Sequence, residues 1–313
     1  MTDIVDVVVI GAGMAGMYQI KRLMDLGVDA LCLERDADLG GTWYKNRYPG
    51  ARFDSESYTY GYSWDRELLE EWHWVERFSP QPETLRYLNH VADKFNLREK
   101  IRFNCGVTAM TFDEDGPLWR LALTDGSEMT CRVVLTALGV LSIPTYPTIE
   151  GMDSFQGPAF HTFDWPADPV ELKGKRVAVI GTGATAIQAI PEIAKEADQL
   201  VVFQRRPNWA APLNNGLISD EEMADIRRRY DDIFAQCRRT AAGFEHDADR
   251  RGFWNVSREE RLELWDRLYD GPGFGKGGTG TLTIDGQVAD TKKLENTIPV
   301  TMPEDESFDV GLD

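Results

Sequence analysis

The stretch "IVDVVVIGAGMAG" (residues 4–16) decides the fold. Residues 4–10 are short, continuous and β-branched, which reads as a strand buried on both faces. Gly11, Gly13 and Gly16 then stand in the G-x-G-x-x-G spacing of a dinucleotide-binding turn. Gly11 permits the tight turn, Gly13 lets a pyrophosphate approach the backbone, and Gly16 lets helix and strand pack closely. A helix follows, with Met14, Met17, Ile20, Leu23 and Leu26 at helical spacing, and its N-terminus offers N–H groups and a positive dipole end. Gly27 ends that helix, and "DALCLE" makes the next strand, closing on Glu34. The Glu34 carboxylate can take both hydroxyls of an adenosine ribose.

A second strand–turn–helix–strand unit spans residues 176–206, with Gly181, Gly183 and Ala186 in a G-x-G-x-x-A turn. No acid stands at the end of its second strand; Arg205 and Arg206 stand there instead. A guanidinium binds a 2′-phosphate in a bidentate fork, where a carboxylate would repel it, so the pattern favours NADPH over NADH. Two dinucleotide sites in one chain suggest electron transfer from a nicotinamide to a flavin. Cys32, Cys105, Cys131 and Cys237 form no C-x-x-C pair, which argues against a dithiol centre and against a zinc site. Molecular oxygen is then the leading acceptor for the flavin's electrons.

Between the two units, residues 81–95 read as a helix, and residues 101–103, 106–113, 118–124 and 130–138 as an antiparallel meander. Residues 219–270 are charged and helical in period, with capping boxes at Ser219/Glu222 and Ser257/Glu260. From Gly271 the chain becomes a glycine-rich linker, and "TLTIDGQV" reads as a hairpin with an Asp-Gly turn. The expected fold class is α/β: two Rossmann-like dinucleotide-binding domains with an antiparallel β-meander insertion, a helical insert and an atypical β-rich tail. The domain bounds are 1–144 for the first nucleotide, 145–270 for the second with the helical insert, and 271–313 for linker and tail.

The net charge of −18 repels nucleic acid and anionic membranes, so neither is expected as a partner. The apolar run near the N-terminus reads as a strand and not as a signal peptide, and no run approaches the ~20 residues of a membrane span. Scattered single cysteines suit a reducing compartment, and the expected localisation is cytoplasmic.

The connector between the two turns contains "FQGPAFHTFDWP", with Phe155, Gly157, His161, Trp165 and Pro166 in the spacing F-x-G-x-x-x-H-x-x-x-W-P. A second run places Gly40, Gly41, Trp43, Tyr48, Pro49, Gly50 and Asp54 in the pattern G-G-x-W-x-x-x-x-[FY]-P-G-x-x-x-D. With "VFQRRPNW" after the second unit, residues from about 4 to 270 resemble the type I Baeyer–Villiger flavin monooxygenases. That resemblance implies FAD, NADPH, O2 and a small-molecule ketone, with oxygen inserted beside the carbonyl to give an ester or lactone. It implies that Gly11, Gly13, Gly16, Glu34, Gly41, Thr42, Trp43, Asp54 and Tyr60 line FAD or its border with NADPH. It implies that Gly181, Thr182, Gly183, Ala184, Thr185, Gln188 and Arg205 hold NADPH.

By the same resemblance Asp54 is the catalytic candidate, since the matching Asp orients an arginine beside the flavin. His161 invites a proton-transfer role, because an imidazole titrates near neutrality. Its setting between Phe155 and Trp165 favours packing of a hinge and donation of a positioning hydrogen bond. Trp64, Trp72 and Trp74 read as packing residues.

Some features depart from the family pattern. Leu138 in "TALG" stands where the family has a small residue, and Arg206 where it usually has Thr. No residue matches the motif of the family's catalytic arginine, and the segment that completes the FAD domain in the family is expected to be missing. The tail, residues 278–313, is similar instead to the C-terminal β-segment of bacterial arylsulfatases, without the C-x-P-x-R nucleophile motif. Oxygenation of sulfur or nitrogen, or an inactive nucleotide-binding fragment, are the alternative readings.

Overall fold

The computed structural model describes residues 4–205, 210, 212–240, 243–246, 251, 253–273, 283–284 and 287–288. Along these, the elements run β1 (Val5–Ile10), α1 (Met14–Asp25), β2 (Ala30–Leu33), α2 (Thr42–Lys45), α3 (Ser57–Tyr60), α4 (Arg66–Glu71) and α5 (Gln81–Lys94). There follow β3 (Ile101–Arg102), β4 (Val107–Asp113), β5 (Leu118–Leu123), β6 (Glu128–Thr136), β7 (Arg176–Ile180), α6 (Ala184–Ala194) and β8 (Gln199–Phe203). The last are α7 (Asp220–Cys237), α8 (Arg258–Asp270), β9 (Thr283–Ile284) and β10 (Gln287–Val288). Among the described residues no helix is long and apolar enough to cross a membrane.

The chain forms two compact units: Met1–Arg52 with Pro80–Pro207, and Phe53–Ser79 with Asn208–Asp313. The first unit therefore holds both glycine-rich turns, while the helices beyond residue 208 cluster with residues 53–79.

In the first unit a six-stranded sheet has the order β3-β2-β1-β6-β5-β4. β1 lies at its centre, parallel to β2 on one side and to β6 on the other. Its run of apolar residues from Val7 to Ile10 suits that place, between two strands and beneath α1; Val8 and Val9 are fully buried. Met17 and Ile20 of α1 are buried with it, and Gly27 closes that helix at φ +67°. β4, β5 and β6 are antiparallel neighbours as the turn signals predict. The segment at 101–102 is not part of that meander: it pairs parallel to β2 at the far edge of the sheet. β6 is shared, closing the meander on one edge and extending the parallel sheet on the other. Two parallel strands, β7 and β8, form a separate sheet with α6 between them in sequence. Leu172, Ala189 and Ile193 pack there with Tyr48 and Ala51.

In the second unit α7 buries Met223, Ile226, Tyr230, Ile233 and Cys237, a stripe at alternating three- and four-residue spacing. Trp74 is buried edge-on to Phe53 and Trp72, which bears out a packing role. The capping box at Ser257 and Glu260 is complete in both directions. That at Ser219 is half formed: its hydroxyl accepts the Glu222 N–H at 3.1 Å, but the Glu222 carboxylate turns to Arg77, held at 3.0 and 3.1 Å. A charged fork outbids a single backbone N–H for that carboxylate. β9 and β10 pair antiparallel, Thr283 against Val288. The Asp-Gly turn between them, the glycine-rich run beyond Gly273, the rest of the sulfatase-like tail and Arg206 lie outside the described residues.

Candidate functional site

The first glycine-rich turn is shaped by three different constraints. Gly11 sits at φ +100°, and a Cβ there would stand 2.6 Å from the Ala137 carbonyl oxygen. A Cβ on Gly16 would stand 1.7 Å from the Gly11 carbonyl oxygen, so the helix packs on the turn itself. At Gly13 the nearest backbone to a Cβ is Gly41 at 3.5 Å, an ordinary contact. Among the described residues no neighbour forbids a side chain at Gly13. Its glycine is explained by a group approaching from outside, and the turn thus fits a pyrophosphate.

Glu34 is buried at 5% exposure. Its Oε2 accepts the Ala12 N–H at 2.6 Å and its Oε1 accepts the Asp36 N–H at 2.9 Å. Each oxygen keeps a second acceptor site, so ribose hydroxyls can still be taken. Beside it, burial pushes the Cys32 thiol up to about 12, with the charge of Glu34 adding to the effect.

The Gly40–Gly41 pair backs this turn. The Gly40 N–H donates to the Ala12 carbonyl at 3.0 Å, and a Cβ on Gly41 would come within 2.9 Å of the Gly13 Cα. Gly41 thus supports the turn from behind, at φ +54°, and starts α2 with Thr42 exposed and Trp43 buried. Leu138 is more than half exposed.

The second turn is more open. Gly181, at φ +105°, donates its N–H to the Phe203 carbonyl at 2.8 Å, and among the described residues, chain neighbours aside, nothing lies within 4 Å of where a Cβ would stand on Gly181 or Gly183. That open space, in front of the N-terminus of α6, fits a second dinucleotide. Ala184 and Thr185 form the first turn of α6, Thr182 Oγ1 accepts from Gln204 Nε2 at 3.1 Å, and Arg205 is exposed. Gln188 is engaged within the chain. Its Oε1 accepts the Tyr48 hydroxyl at 2.8 Å and the Arg52 N–H at 3.4 Å, and its Nε2 donates to the Arg52 carbonyl at 2.9 Å. Sequence reasoning placed Tyr48 only in a motif and missed Arg52 and Gln81. The signal was the run "YPGAR", whose Gly50 has no room for a Cβ: it would meet the Gln188 carbonyl oxygen at 2.4 Å.

In the connector, His161 caps the turn Thr162–Asp164. Its Nδ1 accepts the Phe163 N–H at 3.0 Å, so this bond runs opposite to the expected donation, because the start of a helical turn presents donors. Tyr146 packs edge-on to the imidazole at 5.4 Å. Phe155 is exposed, and its ring covers Gly157 so closely that a Cβ would meet it at 2.7 Å. Trp165, followed by Pro166, packs against the core that holds Ala189 and Ile193. In the second unit, Asp54 is exposed and Tyr60 stacks on Phe53 at 4.3 Å.

Two Rossmann-like units, each with a turn that fits a dinucleotide, define a two-nucleotide oxidoreductase fold. Residues 5–217 match the model of the flavin-binding monooxygenase-like family, and the chain belongs to that family. Within it, the relatives bear out the type I Baeyer–Villiger group. The chain is 45% identical to 2-oxo-Δ3-4,5,5-trimethylcyclopentenylacetyl-CoA monooxygenase of Pseudomonas putida, over 86% of this chain and 51% of that protein. It is 38% identical to cyclohexanone 1,2-monooxygenase of an Acinetobacter species, over 86% of this chain and 50% of that protein. It is 40% identical to a phenazine N-monooxygenase of Lysobacter antibioticus, with the same coverage of 86% and 50%. The crystal structure of OTEMO in complex with FAD and NADP superposes with a TM-score of 0.86 at 44% identity, covering 89% of this chain and 54% of that one. The chain spans about half the length of the curated relatives it matches.

Proposed function

We propose that this chain binds FAD at the first glycine-rich turn and NADPH at the second, in the service of a Baeyer–Villiger-type oxygenation. In that reaction a ketone, O2, NADPH and a proton give an ester or lactone, NADP+ and water. FAD, when bound, would relay two electrons from NADPH to O2 and so supply the activation of oxygen. The chain's residues bind and orient. The N–H groups at the start of α1 take the FAD pyrophosphate, Glu34 the ribose hydroxyls, and Gly41, Thr42 and Trp43 border the flavin. Gly181, Thr182, Gly183, Ala184 and Thr185 take the NADPH pyrophosphate, and exposed Arg205 the 2′-phosphate. Asp54 is the proposed orienting carboxylate beside the flavin, with Tyr60 near it in sequence. Phe155, Gly157, His161, Trp165 and Pro166 serve as the hinge between the nucleotide domains, proposed as residues 1–144 and 145–270. The observation that carries the reading is the pair of turns: one backed by Gly41, the other open where a second nucleotide is required.

The test is spectroscopic. With added FAD, the purified chain is expected to retain flavin absorption bands through gel filtration, and NADPH is expected to bleach them without oxygen. No flavin bands after added FAD would sink the reading and leave an inactive nucleotide-binding fragment. A second reading, oxygenation of nitrogen, is favoured by the relative that is a phenazine N-monooxygenase. Supplying a cyclic ketone and a phenazine side by side separates the two: a lactone supports the first, an N-oxide the second.

A further inference from the structure

The chain leaves the first unit at Arg52 and returns at Pro80, and these two residues face each other in an isolated antiparallel bridge. The Gln81 N–H donates to the Ala51 carbonyl at 2.7 Å, which closes the neck. Two glutamine side chains then tie the neck to the two glycine-rich turns. Gln81, buried, donates its Nε2 to the Trp43 carbonyl in α2, whose preceding Gly41 backs the first turn. Gln188, on the second turn of α6, brackets Arg52 with both ends of its amide and also accepts the Tyr48 hydroxyl. An amide oxygen has two acceptor sites, and Tyr48 and Arg52 fill both. Gly50 lies directly on the Gln188 backbone, with no space for a methyl group. Two residues beyond Arg52 in sequence comes Asp54.

The family pattern assigns Gln188 to the nucleotide. We infer that Gln188 is instead a positioning residue: its amide ties the start of the NADPH-binding helix to the neck that leads to Asp54, and so passes occupancy of the second turn to the flavin-side segment. This rests on the proposed binding of FAD and NADPH. The consequence is that the second turn and the neck respond together, while the nucleotide itself is held by the backbone of the turn and by Arg205.

The test uses Tyr48→Phe, Gln188→Met and the double variant. In the cofactor-free chain, hydrogen exchange at residues 48–52 is expected to rise about five-fold in each single variant, with no further rise in the double, since both remove parts of one clamp. With FAD and NADP+ both added, the wild-type flavin bands are expected to shift on NADP+ binding. In Gln188→Met that shift is lost, while the NADP+ dissociation constant stays within about two-fold. Gln188→Glu keeps the acceptor for Tyr48 and is expected to restore part of the shift. A ten-fold weaker NADP+ affinity in Gln188→Met beside a harmless Tyr48→Phe would overturn the inference, as would unchanged exchange at 48–52. Uptake of both nucleotides with no band shift in the wild type overturns the coupling. Uptake of neither counts against the proposed function instead, and exchange then still decides whether Gln188 ties the neck.

Discussion

The carboxylate of Glu34 reaches back along the chain to the backbone N–H of Ala12, inside the first glycine-rich turn, at 2.6 Å. The end of the second strand thus holds the turn in shape before any ligand arrives. Its other oxygen is held by the Asp36 N–H, so the carboxylate is both a brace and a ready acceptor. Glu34→Gln keeps the volume but sets an NH2 group against one of two N–H donors. Loss of a buried charge-assisted bond is expected to cost about 1–3 kcal/mol in urea unfolding. A loss of FAD affinity with unchanged stability would show that the brace is not needed.

The glycines of the first turn are expected to differ sharply from the glycine that ends α1. Gly16→Ala sets a Cβ against the Gly11 carbonyl, a backbone atom that cannot step aside, and is expected to cost more than about 3 kcal/mol or to prevent folding. Gly27→Ala meets no neighbour and pays only for its positive φ, about 1 kcal/mol. Thermal melts of the pair check this, and equal losses would contradict it.

Cys32, Cys105, Cys131 and Cys237 are all buried and unbridged. Burial raises each of their thiols above the ordinary cysteine value, Cys32 to about 12. A thiol reagent at neutral pH is therefore expected to label none of them quickly in the folded chain and all of them in denaturant. Rapid labelling of Cys32 in the folded chain would contradict its place beside Gly11 and Glu34.

Several carboxyls at or near the surface are held below the ordinary carboxylate range. A hydrogen bond from Lys21 does this for Asp25, one from Arg120 for Asp113, the Ser127 hydroxyl for Asp125, and the Ser257 N–H for Glu260. At a given acid pH the unfolded chain then binds more protons than the folded one. Their stabilisation is complete above the ordinary carboxyl values, about 4, and is lost as pH falls through the lowered ones. Urea midpoints taken down to about pH 3 should fall, and Asp113→Asn should flatten that fall. A midpoint equally acid-sensitive in Asp113→Asn would remove Asp113 from the account.

The cap at Ser257 is reciprocal, whereas Ser219 only accepts. Ser257→Ala is expected to cost about 1 kcal/mol. Ser219→Ala should cost a similar amount, but Glu222→Gln should act through Arg77 and not through the cap. A double-mutant cycle on Arg77 and Glu222 reads that coupling, and a coupling near zero would refute it.

The local pattern alone determined the two strand–turn–helix units, the longer helices, the complete cap at Ser257, and the family. A β-branched run, a G-x-G-x-x-G spacing and a three-four apolar stripe are each satisfied by residues near one another in sequence, so local geometry suffices to read them. Tertiary structure decided what depends on partners far along the chain. The strand at 101–102 pairs in parallel with β2, a placement the sequence could not show because two residues carry no alternation to mark a partner or a direction. Glu222 left its cap for Arg77, which the spacing of a capping box cannot foresee. Gln188 stands in a nucleotide-turn motif, yet its amide is spent on Tyr48 and Arg52, more than a hundred residues away. A side chain's hydrogen bonds go to whatever the fold sets beside it, and only the packed chain sets Arg52 there.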